Sequence, residues 1–349
     1  MRLRHLLTTG FISTLTFFVS SSHAETVKIY MWEDYLSPEV VEQFEQETGN
    51  KVSLIYFDTE TLRDEVINTG RASTYDLVIL DSLTLQMMTE RGLLRTESES
   101  DLPTLNNFTP ESRKLCGNTG VPYMWGTMGI AYRSSLYPDG VDSWMAALQP
   151  SKDHYGRITI PVDEIDTTGM ALLALKHDPF TSEEKPLMDA FDLLKESKSK
   201  IKSFLNAVTY TRDMQDKSQL DLVVAFSGET YLLNQYTGNE DWVYTIPQEG
   251  TLIWHECFAQ LKDSPNKKAT KQFLNFIGDP KIAAKNAEYI WYATSNQSAM
   301  DFVSDEYKND SEIFPDKTAL ANSYPYREIS LPGLKLRTRI ISIIQRESE

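Results

Sequence analysis

The sequence predicts an α/β fold with a parallel, helix-flanked sheet, spread over about two domains. Three observations lead there. Residues 27–80 read in turn as strand, helix, strand, helix, strand. The runs 75–80 and 221–226 are almost continuously apolar, as strands covered on both faces are. The chain has 349 residues, 41% of them apolar, which is ample for more than one core.

The elements follow in order. Val27, Ile29 and Tyr30 mark a first strand over 27–30. A helix is predicted over 38–48, with Ser37 as N-cap, Pro38 at its first position, Glu39 in its first turn and Gly49 past its end. Val40, Val41 and Phe44 form its apolar face. A second strand over 52–56, a helix over 61–69 stopped by Gly70, and a third strand over 75–80 come next. A helix spans 83–92, and the polar stretch 97–107 crosses the surface. The strand 121–132 marks a change of lobe. It is followed by a short helix 143–148, a strand 157–162, helices 167–176 and 183–198, and strands 221–226 and 242–247. Glu249 and Gly250 turn the chain into a strand 251–260 that returns to the first lobe. Helices 267–277 and 280–288 and a loop 289–296 follow, and the remainder reads as helical or irregular.

The first 24 residues read as a signal peptide cleaved after Ala24: Arg2, Arg4 and His5, then an apolar centre, then a small-residue end. That apolar run is shorter than the roughly 20 residues a membrane span needs. The net charge is -16 and becomes more acidic when Arg2 and Arg4 leave. Such a chain disfavours nucleic acid and anionic membranes and favours cations, although solubility alone also explains acidity. Cys116 and Cys257 are either a disulfide or two buried thiols.

Catalytic signatures are missing: no nucleophile elbow, no phosphate loop, no dinucleotide fingerprint, no zinc-protease motif and no CxxC. His255, Glu256 and Cys257 alternate across a strand, so all three do not meet one metal. No enzyme, no metal and no cofactor is therefore expected.

What recurs is aromatics and acids where strands end: Trp32 and Tyr35; Asp81; Tyr123 and Trp125; Asp163, Glu164 and Asp166; Phe226 and Glu229; Trp254 and Glu256; Tyr289, Trp291 and Tyr292. Core packing explains any single aromatic, and a solvated loop or helix cap explains any single acid; Asp163 or Asp166 in particular would cap the helix at 167. Together they point to a cleft at the carboxyl ends of the strands. Carboxylates for ammonium groups and flat apolar walls for the methylenes between them suit a polyamine. One ion pair at 4 Å is worth about 4 kcal/mol at an effective dielectric near 20, before desolvation, and a cation over an aromatic ring adds about 0.5–2 kcal/mol.

Several segments carry a family resemblance. They are residues 27–35, the run Phe44, Glu45, Gln46, Glu47, Thr48, Gly49 with Val52, and the run Tyr75, Asp76, Leu77, Val78. Further on they are residues 121–126, Glu249 with Gly250, Trp254, residues 273–276 and Tyr292. In their order and spacing the chain resembles the periplasmic spermidine/putrescine-binding proteins over most of residues 26–330. The resemblance implies an α/β, two-lobe periplasmic binding protein (type II) with a hinge and a central ligand cleft. Lobe 1 would be 25–130 plus 256–300 and lobe 2 would be 131–255 plus 301–349, with hinges near Ala131 and His255. It implies ligand-binding roles for Trp32, Tyr35, Asp163, Asp166, Phe226, Trp254, Glu256 and Tyr292. Asp81 stands where the family has a small hydroxyl residue and would add a carboxylate. Leu83 replaces an aromatic, and Arg327 falls where a neutral amide is expected. These departures are similar to a branch of the family that senses norspermidine and signals to a membrane cyclic-di-GMP phosphodiesterase in biofilm control. The partners implied are a polyamine and either that sensor's periplasmic domain or an ABC permease, for a monomeric periplasmic protein. An Fe(III) site using Tyr289 with Tyr292 is the remaining alternative.

Overall fold

The computed structural model describes residues 24–346. The signal peptide expected over residues 1–24 lies, Ala24 apart, outside the described residues. Eleven strands form: β1 (Thr26–Met31), β2 (Lys51–Tyr56), β3 (Leu77–Asp81), β4 (Gly120–Arg133), β5 (Ile158–Ile160), β6 (Ser203–Phe204), β7 (Leu222–Phe226), β8 (Trp242–Thr245), β9 (Thr251–Gln260), β10 (Ala293–Thr294) and β11 (Ser323–Pro325).

They pair in the order β2-β1-β3-β9-β4-β7-β5-β6, with β10 and β8 on β4 and β11 on β9. The expected parallel pairing holds for β1 with β2 and β3, and for β5 with β6 and β7. The sheet as a whole is mixed, which corrects the all-parallel expectation. The strand β9 arrives from late in the chain and inserts antiparallel between β3 and β4.

Local chemistry explains most boundaries. The helix Pro38–Thr48 ends where Gly49 takes a left-handed φ of 73°, a conformation that costs glycine nothing. Ser37 does precede this helix, but its side chain caps nothing. Its backbone N–H donates instead to Asn286 Oδ1 at 2.9 Å, tying the helix entry to a later helix. The helices Pro110–Cys116, Ala207–Asp213 and Glu229–Thr237 were not expected from the sequence. They are short and lack a long apolar period.

Apolar side chains gather in two main cores. One holds Val27, Ile29, Phe44, Phe258 and Phe273. The other holds Met128, Ile130, Trp144, Leu172, Leu187 and Ile340. The strand β4 passes from one to the other between Met124 and Met128, and β9 between Leu252 and Trp254. The first crossing lies a few residues before Ala131, where β4 leaves β9 and begins to pair with β7 and β8. At Gly126 an added Cβ would stand 2.5 Å from the Trp254 ring, so only glycine lets the two strands close here. Val303, Tyr307 and Ile313 pack in the first core, whereas the expected division put residue 301 onward wholly in the second lobe. Cys116 and Cys257 are joined in a disulfide, Cα–Cα 5.9 Å, which pins the helix Pro110–Cys116 to β9.

Candidate ligand-binding site

A cavity of about 190 Å³ opens where strands end. Trp32 and Tyr35 follow β1, Phe57 and Glu60 follow β2, Asp81 closes β3, Asp163 and Asp166 follow β5, and Phe226 closes β7. Because β9 runs the other way, Trp254 and Glu256 reach the cavity from mid-strand. They are two residues apart and so on one face. Tyr292 comes from the turn after the helix Pro280–Ile290. The nine residues expected at the site, Trp32, Tyr35, Asp81, Asp163, Asp166, Phe226, Trp254, Glu256 and Tyr292, all line this one cavity.

The aromatic rings form connected walls. Trp32 packs edge-on against Phe57, with centroids 4.3 Å apart. On the other side Tyr35, Tyr292, Trp254 and Phe226 follow one another at 5.5, 5.6 and 6.2 Å, each steeply inclined to the next. Tyr123 lies behind this wall and donates to the Tyr35 carbonyl, so it is a strut and not lining. Trp125 stacks on His255, and Trp291 donates to Asp310 at 2.8 Å; neither lines the cavity. Tyr289 is exposed and does not join Tyr292 there.

Nine carboxyl side chains line the cavity, against one basic side chain, Arg212, among the described residues. Their engagement differs. Glu256 accepts from Trp32 Nε1 at 2.9 Å. Burial raises its pKa, and the neighbouring tyrosine and indole only partly oppose that. Asp163 Oδ1 accepts from the N–H groups of Ile165 and Asp166 at 2.6 and 2.8 Å, so it holds the turn that enters the helix Asp166–Ala174, close to the capping role the sequence allowed for it. Burial raises its pKa despite those bonds. Asp166 accepts from Tyr326 Oη, and burial followed by the Asp163 charge pushes it well up. Asp81 is the most tied: Oδ1 accepts from the N–H groups of Leu83 and Thr84 at 3.0 and 2.9 Å, and Oδ2 is 3.4 Å from Arg63. Glu229 accepts from Phe226 N at 3.0 Å, and burial pushes it up to about 7.

Sequence reasoning left Glu60, Phe57 and Tyr326 out of the site, and it named Glu229 only as part of the strand-end pattern. Glu229 was therefore the most findable of the four. Tyr326 is the neighbour of the suspected Arg327. The structure turns Arg327 away, where it is paired with Asp178 and half exposed outside the cavity. Tyr35 and Trp254 line the cavity with their rings, while Tyr35 Oη and Trp254 Nε1 are buried. No described group of three or more His, Cys, Asp or Glu is arranged to hold a metal ion.

A lining of buried acids and rings, without a nucleophile set against a base, is built to hold a cation with apolar spacers. Comparison with known proteins agrees with this geometry. The sequence matches the family described as bacterial extracellular solute-binding protein over residues 39–315. It is 31% identical over 323 residues to the norspermidine sensor of Vibrio cholerae, covering 93% of this chain and 89% of that one. It is 27% identical over 327 residues to the spermidine/putrescine-binding periplasmic protein of Escherichia coli, covering 91% of each. A solved structure, the putative spermidine/putrescine ABC transporter from Listeria monocytogenes, superposes with a TM-score of 0.84 at 28% identity, over 92% of this chain and 99% of that one. The two-lobe, type II binding-protein architecture expected from the sequence is the one these chains share.

Proposed function

This chain belongs to the bacterial extracellular solute-binding protein family, and from that premise we propose that it is a periplasmic polyamine receptor that closes on its ligand and signals to a membrane partner. The observation that carries the reading is the cavity lining: nine acids against one arginine, between two aromatic walls. A linear polyamine meets both needs at once. Its ammonium groups sit on carboxylates and its methylenes lie on rings.

The lobes we propose are those expected from the sequence, with residues 301–314 moved to the first because of Val303, Tyr307 and Ile313. The cavity mouth carries bonds between the two sides. Arg212 pairs with Glu33 at 2.7 Å, and Tyr236 Oη donates to Asp34 at 3.2 Å. A ligand touching both sides favours the closed arrangement, and a partner that recognises that shape reads the binding event.

Similarity to a norspermidine sensor favours a triamine of the norspermidine/spermidine class and a membrane cyclic-di-GMP enzyme as the partner. The second reading is the receptor of a polyamine ABC importer, favoured by the names of the Escherichia coli and Listeria monocytogenes relatives. Cleavage after Ala24 and release into the periplasm belong to both readings. Among the described residues no helix is long and apolar enough to cross a membrane.

Titration calorimetry with a diamine, triamines and a tetramine tests the ligand class. Saturable heat and thermal stabilisation with at least one are expected, and neither with any of them sinks the reading. Deleting the permease or the cyclic-di-GMP enzyme gene and recording which loss abolishes the polyamine response separates the two partners.

A further inference from the structure

Arg63 is enclosed directly behind the cavity wall. It stands on the helix Glu60–Asn68, whose first residue lines the cavity. The side chain has 0% exposure. Its Nη1 is 3.2 Å from Glu60, its Nε 2.8 Å from Asp64 and its Nη2 3.4 Å from Asp81. Its guanidinium carbon lies 5.6 Å from the centre of the Phe57 ring, the ring that backs Trp32. A guanidinium keeps its charge under all ordinary conditions. A permanent cation is therefore built in behind the slot, against the two lining acids Glu60 and Asp81 and against Asp64. The other lining acids of the interior, Asp163 with Asp166, Glu256 and Glu229, make no ion pair with a basic residue among the described residues.

We propose that Arg63 is a specificity-determining residue: an internal counter-cation that takes up part of the charge of Glu60 and Asp81 and so favours ligands with three ammonium groups over ligands with four. The inference rests on the polyamine reading above. Asp163 with Asp166, Glu256 and Glu229 are the three centres left for a ligand. A fourth ammonium that reached Glu60 and Asp81 would meet acids whose pull the guanidinium weakens from behind the wall. Arg63 does not touch the ligand; it acts through Glu60 and Asp81. Its signature is consequently a change in the ratio of affinities for ligands of different charge, which a merely structural arginine would not produce.

The experiment is calorimetry of a linear triamine and a linear tetramine with the full mature chain and its variants Arg63→Met and Arg63→Lys, with thermal melts to establish folding. The wild type should prefer the triamine at least tenfold. Arg63→Met should shift the ratio at least tenfold towards the tetramine, and Arg63→Lys should keep it within threefold. Should Arg63→Met fail to fold, Glu60→Gln replaces it. That change removes one of the two lining acids beside the arginine, leaving Asp64 and Asp81 against it, and should weaken the tetramine at least threefold more than the triamine. Unchanged ratios in the folded Arg63→Met protein, or in Glu60→Gln in its place, overturn the role of Arg63, as does a shift in Arg63→Lys equal to that in Arg63→Met. A wild type that binds no polyamine overturns the ligand class itself, a different result from binding without discrimination.

Discussion

Asp81 and Glu256 stand directly opposite one another across β3 and β9, paired in the antiparallel ladder, and both line the cavity. Side chains so placed have Cβ atoms about 4.5–5.5 Å apart, and like charges there repel. The structure separates their duties. Asp81 is held by two backbone N–H groups and Arg63, whereas Glu256 accepts from the Trp32 indole beside the Tyr35 hydroxyl and has no basic partner among the described residues. On the proposed reading Glu256 is the carboxylate left for a ligand, and Asp81 is part of the frame.

Binding should therefore respond unequally to the acids. Glu256→Gln and Asp163→Asn are each expected to lose at least about 1.5 kcal/mol of polyamine affinity, roughly tenfold, as charge-assisted bonds do. Asparagine caps a helix about as well as aspartate, so Asp163→Asn should melt near the wild-type temperature. Calorimetry beside a thermal melt checks both, and unchanged affinity in both variants means the site is misplaced.

Asp81→Ala should act mainly on stability. It removes the cap of the helix Ser82–Glu90 and one partner of the enclosed Arg63. A lost cap costs about 0.5–2 kcal/mol, and a buried charge deprived of a partner adds to that. Urea denaturation of the ligand-free chain should show a drop of about 2 kcal/mol or more. A midpoint equal to wild type would refute the framing role.

The pH dependence has a definite sign. Burial raises Glu229 to about 7 in the folded chain, above the roughly 4.3 of a free glutamate. Its contribution to folding is thus fully present below the unfolded value and is lost as pH rises through about 7. The ligand-free melting temperature should fall between roughly pH 4.5 and 7, the interval between the unfolded and folded values, and Glu229→Gln should flatten that fall. An ammonium favours the ionised form, so binding should release protons near neutrality and tighten as pH rises. Calorimetry in buffers of different ionisation heat measures that release, and proton uptake instead would contradict the site.

The Cys116–Cys257 disulfide closes a sequence separation of 141 residues. Replacing both cysteines by serine should cost about 2–5 kcal/mol of stability. Cys257 follows Glu256 on β9 and points to the opposite face, so polyamine affinity should change little. Affinity falling in step with stability would show that the bridge also sets the site.

Much of the fold was legible because local chemistry decides it. The helices Pro38–Thr48 and Lys267–Ile277 and the strand β9 fall where their punctuation and apolar periods place them. The cavity lining was legible for a related reason. Strand ends in an α/β sheet face a common crevice, so acids and rings at those ends could be collected before any distance was known. Arg63 was not legible, since an arginine in an amphipathic helix reads as a solvated residue. Its enclosure depends on Glu60, Asp81 and Phe57 meeting around it from three segments.

The sequence by itself determined the strand-helix alternation, the aromatic and acidic residues at the strand ends and the family resemblance, because each is written in residues close together or in fixed order. Only the tertiary structure decided that β9 inserts antiparallel between β3 and β4, that Tyr326 enters the cavity while Arg327 turns away, and that one buried arginine already answers part of the acidic lining. Pairing and burial are set by contacts between distant segments, and the charge a ligand meets is what remains after those contacts are made.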